Sequence, residues 1–128
     1  MTQDEAATYW QQRARTELKA ARTLFEKGDQ DLYGEVLFHC HLALELALKA
    51  AFIREKDTSP PFTHDLNELA DALQRIRTPD ERDAFEEITD CAILSRYGDG
   101  EWYALHATRV NADKWLQKTG TFLSTFLP

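Results

Sequence analysis

The stretch LFHCHLALELALKAAF, residues 37–52, decides how this chain folds. It contains no glycine or proline, and nearly every residue is apolar or a good helix former. On a helix turning ~100° per residue, His39 and His41 fall ~200° apart. They cannot chelate one metal ion, and a zinc site would need two or three further ligands. Cys40 diverges from His41 by ~100° on the same wheel, which argues against a Cys–His dyad. The wheel does bring His41, Glu45 and Lys49 together at i, i+4 and i+8, in a stripe ~80° wide. Phe38, Leu42, Leu48 and Phe52 flank that stripe, and Val36, Cys40, Ala43, Ala47 and Ala51 lie opposite. A helix apolar nearly all round is a buried one. Residues 32–54 are therefore expected to form the central helix of an all-α protein, with one charged seam. That seam is either a surface strip, where a Glu–Lys pair contributes ~0.3–0.5 kcal/mol, or the wall of a cleft or subunit interface.

The flanking sequence supplies helices to surround it. From about Gln3 to Lys27, Trp10, Ala14, Leu18, Ala21, Leu24 and Phe25 recur at spacings of three and four. Thr2 and Glu5 fit a capping box, and Gly28 sits where a left-handed residue ends a helix. The connector EKDTSPPFT cannot continue a helix through Pro60 and Pro61. A third helix starts near His64 with Thr63 as its N-cap, and Leu66, Leu69, Ala70, Leu73 and Ile76 face the core. Thr78, Pro79 and Glu81 form the strongest helix start in the chain, leading into Phe85, Ile88, Ala92 and Ile93. After the loop SRYGDG, a fifth helix is expected from about Trp102 to Phe126, carrying Leu105, Ala112, Trp115, Leu116, Phe122 and Phe126. Short links between amphipathic helices predict a single-domain, up-and-down bundle of about five helices over residues 1–128.

Composition narrows the function. The net charge is −7, which argues against a large nucleic-acid footprint, because that needs clustered Lys and Arg. Cys40 and Cys91 both fall in apolar helical patterns and are expected to be buried free thiols in a reducing cytoplasm. No basic-then-apolar leader opens the sequence, and no run approaches ~18 uninterrupted apolar residues, so neither a signal peptide nor a membrane span is expected. No P-loop, no GxGxxG and no catalytic triad emerges. Two other places carry chemistry. His64 and Asp65 stand at a helix start, where a carboxylate complements the dipole and an imidazole could cap or bind an anion. Arg96, Tyr97 and Asp99 stand in a glycine-containing loop, where Arg offers a fork for phosphate or carboxylate and Tyr a stacking face. The plainer alternatives are simple capping and an Arg–Asp pair pinning the loop.

Taken in order, FHCHLALELALKAAF, PPFTHDLNEL and SRYGDG resemble the HEPN family (higher eukaryote and prokaryote nucleotide-binding domain). Phe38, His39, Ala43, Glu45, Leu48, Lys49 and Ala50 match the family's second-helix pattern. Pro61, Thr63, His64, Asp65 and Leu66 match its P-x-T-H-D-L. Arg96, Tyr97 and Asp99 match R-Y-P-D, with Gly98 in place of the proline. The resemblance covers almost the whole chain. It implies a helical bundle, usually a cytoplasmic homodimer, encoded beside a minimal nucleotidyltransferase in toxin–antitoxin-like or stress-response pairs, with nucleotide as ligand. No cofactor or metal is expected.

Many family members are ribonucleases carrying R-x4–6-H. Here the histidines are 39, 41, 64 and 106, and no arginine lies five to seven residues before any of them. The expectation is a non-catalytic module, with RNA not a partner. Its ligand-binding residues would be Glu45, Lys49, His64, Asp65, Arg96, Tyr97 and Asp99. Lys49 and Arg96 would contact phosphate, Tyr97 would stack on a base and His64 would hydrogen-bond. The alternatives are a metal-independent endoribonuclease pairing Arg96 with His64 or His106 at another spacing, and a structural adaptor whose polar seam lies in a dimer interface.

Overall fold

The computed structural model describes all 128 residues. It contains six α-helices: α1 (Gln3–Glu26), α2 (Tyr33–Lys56), α3 (Leu66–Ala72), α4 (Pro79–Tyr97), α5 (Gly100–His106) and α6 (Arg109–Phe126). A short 3₁₀ turn, Gln30–Leu32, leads into α2. There is no strand, so the all-α expectation holds, with six helices in place of about five.

α2 is the axis of the bundle. It packs most extensively against α1 and also touches α6, α4 and α3. Val36, Leu37, Cys40, Ala43, Leu44, Ala47 and Leu48 are fully buried along it, as are Phe85 of α4 and Trp115 of α6. A buried leucine of this kind stabilises the fold by roughly 2–5 kcal/mol relative to alanine. α2 is also long and apolar enough to cross a membrane, but most of its apolar stretch is buried inside the bundle, which accounts for its composition.

The ends of the helices follow local chemistry. Thr2 accepts a hydrogen bond from Glu5 N and Thr78 one from Glu81 N, each at 3.1 Å. Gly28 has φ +66, the left-handed conformation that suits glycine at a helix end. α2 ends on a left-handed Asp57.

Three expectations are corrected. The N-cap of α3 is Asp65, which accepts from Asn67 N and Glu68 N, while Thr63 supports Asp65 N instead. The third helix is shorter than expected: Gln74 turns left-handed at φ 58, so Ile76 leaves the core and is fully exposed. The long fifth helix is two. Thr108 caps α6 by accepting from Asn111 N, and the carbonyls left over at the break are taken by side-chain amides: Asn111 on His106 O and Gln30 on Ala107 O. The break puts α5 on its own phase, which leaves Leu105 mostly exposed. Ile93 is half-exposed as well, because α4 borders a cleft there.

Candidate functional site

A cleft of about 550 Å³ opens between α2 and α4, closed at one end by the residues leading into α3. Pockets of this size accommodate small organic ligands. The α2 seam forms its polar wall. Glu45 is buried, and both its oxygens are engaged: Lys49 Nζ donates to Oε2 and His64 Nδ1 donates to Oε1, each at 2.9 Å. His41 Nε2 donates to the backbone carbonyl of His64 at 2.9 Å. Two side chains of α2 thus hold the segment that precedes α3. Burial holds the His41 pKa below its ordinary value, against the raising effect of the hydrogen bond to His64, so the ring is neutral with its proton on Nε2. His64 itself is largely exposed, and with Nδ1 held by a carboxylate its Nε2 is free to meet a ligand.

α4 supplies the other wall. Arg96 lies over the Phe38 ring, its Cζ 3.8 Å from the centroid, and donates to Glu35 Oε1 at 2.9 Å. Tyr97 projects into solvent at the rim, 85% exposed. Leu42 and Ile93 give the cleft an apolar surface. The chain thus brings Glu45, His64, Asp65, Arg96 and Tyr97 to one place.

Two expected residues stand outside it. Lys49 does not line the cleft; it sits behind Glu45 as that carboxylate's counter-ion. Asp99 is the N-cap of α5, accepting from Trp102 N at 2.9 Å, and does not pair with Arg96.

The model of the HEPN domain matches residues 7–127. The chain belongs to the HEPN domain family. No curated protein and no solved structure matches it.

The cleft of this HEPN domain also contains residues outside the three motif segments. Thr89 and Asp90 line the cleft from α4, seven and six residues before Arg96. A helical wheel centred on Arg96 puts Thr89 on its face, a signal that was present in the sequence. The Thr89 hydroxyl is buried and has no hydrogen-bond partner within the chain. His39, on the far side of α2 from His41, meets a second buried carboxylate. Glu17 Oε2 lies 2.6 Å from His39 Nδ1, and Arg13 donates to Oε1 at 3.0 Å. That cluster ties α1 to α2 as the Glu45 cluster ties α2 to the α3 segment. His106 stacks on Trp102 and does not line the cleft.

No group of His, Cys, Asp and Glu is arranged to hold a metal ion. Both thiols are buried, and burial pushes Cys40 up to about 12 and Cys91 up to about 11, so they stay protonated.

Proposed function

We propose that this HEPN domain is a non-catalytic binding module whose α2–α4 cleft takes a nucleotide-type ligand. It acts as a cytoplasmic homodimer beside a nucleotidyltransferase partner, in a toxin–antitoxin-like or stress-response pair. The observation that carries the reading is the convergence of the three motif segments on one cleft: Phe38 and Glu45 from the first, His64 and Asp65 from the second, Arg96 and Tyr97 from the third. Absence of R-x4–6-H from the sequence supports a binding role over the family's nuclease role. Calorimetric and thermal-shift titration with ATP, GTP and CTP tests it. Saturable binding is expected. No binding at millimolar nucleotide, with or without a co-expressed transferase, rejects it.

One observation favours a second reading. The Glu45–His64 pair is a carboxylate holding an imidazole whose other nitrogen faces solvent, and Arg96 lines the same cleft. That is chemistry suited to proton transfer beside a phosphodiester. The endoribonuclease alternative therefore rests on Arg96 with His64, not His106. Intact RNA after long incubation with purified protein removes it. The adaptor alternative gains if Glu45→Ala or Lys49→Ala dissociates a dimer and leaves ligand binding unchanged.

A further inference from the structure

We infer that the cleft recognises its ligand through a flat base and contains no phosphate subsite, so that a nucleoside binds it as well as a nucleoside triphosphate. The inference rests on the binding role proposed above and reassigns the phosphate contacts expected of Lys49 and Arg96.

Both cations are already committed. Lys49 donates to Glu45 from behind the cleft wall, with its side chain 14% exposed. Releasing it would strand a buried carboxylate, which is costly. Arg96 donates to Glu35 in a partly exposed pair and lies against Phe38, so a phosphate would have to compete with Glu35 for its charge, while its free face stays open for stacking. The other charged side chains lining the cleft are carboxylates: Glu45, Asp65 and Asp90. Neither Asp90 nor Asp65 is paired with a cation, and Asp65 is offset only by the backbone N–H groups of α3 that it caps. His41 is neutral, and the chain as a whole carries −7. A phosphate entering here would meet like charge with little to offset it.

Two of the backbone donors nearest the cleft are also taken. A helix N-terminus commonly supplies the N–H groups that bind phosphate. The one at the cleft belongs to α3, and Asp65 already accepts from Asn67 N and Glu68 N there. What remains suits a flat, uncharged heterocycle. The Arg96 guanidinium and the Tyr97 ring provide stacking faces, Leu42 and Ile93 an apolar wall, and Thr89 an unpartnered buried hydroxyl.

The test is calorimetry on the intact protein with adenosine, guanosine and their mono- and triphosphates, with and without Mg²⁺. Affinities within about threefold across each series, or falling as phosphates are added, support the inference. A triphosphate binding more than about tenfold tighter than its nucleoside overturns it and leaves the binding role standing. No binding by any of them at millimolar concentration overturns the binding role and the inference together. Glu35→Gln gives an independent arm, because Glu35 lies outside the cleft and its loss frees the Arg96 charge. A rise in triphosphate affinity relative to nucleoside is expected in that variant. An unchanged ratio means that the Glu35 pair is not what keeps phosphate out, and counts against the inference.

Discussion

The exposed imidazole of His64 is tied through Nδ1 to the buried carboxylate of Glu45, 2.9 Å away, and Lys49 holds the other oxygen of that carboxylate at the same distance. This arrangement makes the α2 seam an internal ion pair with one partner reaching the cleft. Removing Glu45 leaves the Lys49 ammonium with little water and no counter-charge. Glu45→Ala is expected to cost about 3–5 kcal/mol, as breaking one side of a buried pair does. Replacing both residues, Glu45→Met with Lys49→Met, should recover most of that loss, since the pair's own desolvation cost is removed with it. Urea unfolding of the two variants checks this. A Glu45→Ala variant as stable as the parent would mean that Lys49 reaches solvent when the pair is broken.

Acid sensitivity should come from His41. Its folded pKa lies below the ordinary 6.5, chiefly because it is buried. The unfolded chain therefore binds a proton there that the folded chain refuses, and stability rises with pH across that interval. The contribution is fully present above about 6.5 and is lost as pH falls from there toward the folded value. His41→Gln keeps a side-chain N–H for the His64 carbonyl but does not titrate. Denaturant midpoints between neutral pH and mildly acidic pH should drop less in the variant than in the parent. Equal slopes would place the acid sensitivity elsewhere.

The helix break between α5 and α6 is expected to depend on side-chain caps. Thr108→Ala removes the acceptor for Asn111 N and should cost about 1 kcal/mol. Gln30→Ala leaves the Ala107 carbonyl without its partner from the 3₁₀ turn before α2, a loss of about 1–3 kcal/mol if water does not replace it. Chemical denaturation of each variant measures both. If neither changes stability, the junction is held by packing alone.

That break also shows where sequence reading stops. Thr2, Thr78 and Pro79 announce helices through groups within three residues of themselves, so those starts were legible. Ala107 and Thr108 interrupt the stretch 101–119, which has no glycine or proline, and the carbonyl of Ala107 is satisfied by Gln30, 77 positions away in sequence. The central helix was legible because Val36, Leu44 and Leu48 bury it on all sides. The cleft was half legible. His41, Glu45 and Lys49 do share a face, but only the structure shows that His64 closes on Glu45 and that Lys49 stands behind it. Asp99 looked like a partner for Arg96 because both sit near one loop, yet Arg96 turns across to Glu35 on α2 and Asp99 caps α5.

Gly34 should tolerate no side chain. A Cβ there would lie 2.9 Å from Cε1 of Tyr103, whose hydroxyl donates to the Ser95 carbonyl. Gly34→Ala must displace the ring and disturb that hydrogen bond, at a cost of about 1–3 kcal/mol despite the gain in helix propensity. The pair Gly34→Ala with Tyr103→Leu should regain part of it by removing the clash. Unfolding free energies of the single and double variants decide the matter, and additivity between them would mean that the two sites do not touch.

Tyr97 separates binding from folding more cleanly than any other cleft residue. Its ring is 85% exposed and makes no hydrogen bond within the chain, so Tyr97→Ala should change stability by no more than about 0.5 kcal/mol. If the ring stacks on a base, the same substitution removes about 1–3 kcal/mol of binding, a loss of affinity of about fivefold to 150-fold. Tyr97→Phe keeps the stacking face and should bind as the parent does. The contrast matters because Glu45 and His41 cannot be altered without disturbing the fold, so a loss of binding in their variants has two explanations. In Tyr97→Ala it has one. Calorimetry with a nucleoside, set beside the unfolding curve of the same preparation, gives both readouts. Unchanged affinity would remove Tyr97 from the site and leave the Arg96 guanidinium and the His64 ring as the flat faces against which a base could lie.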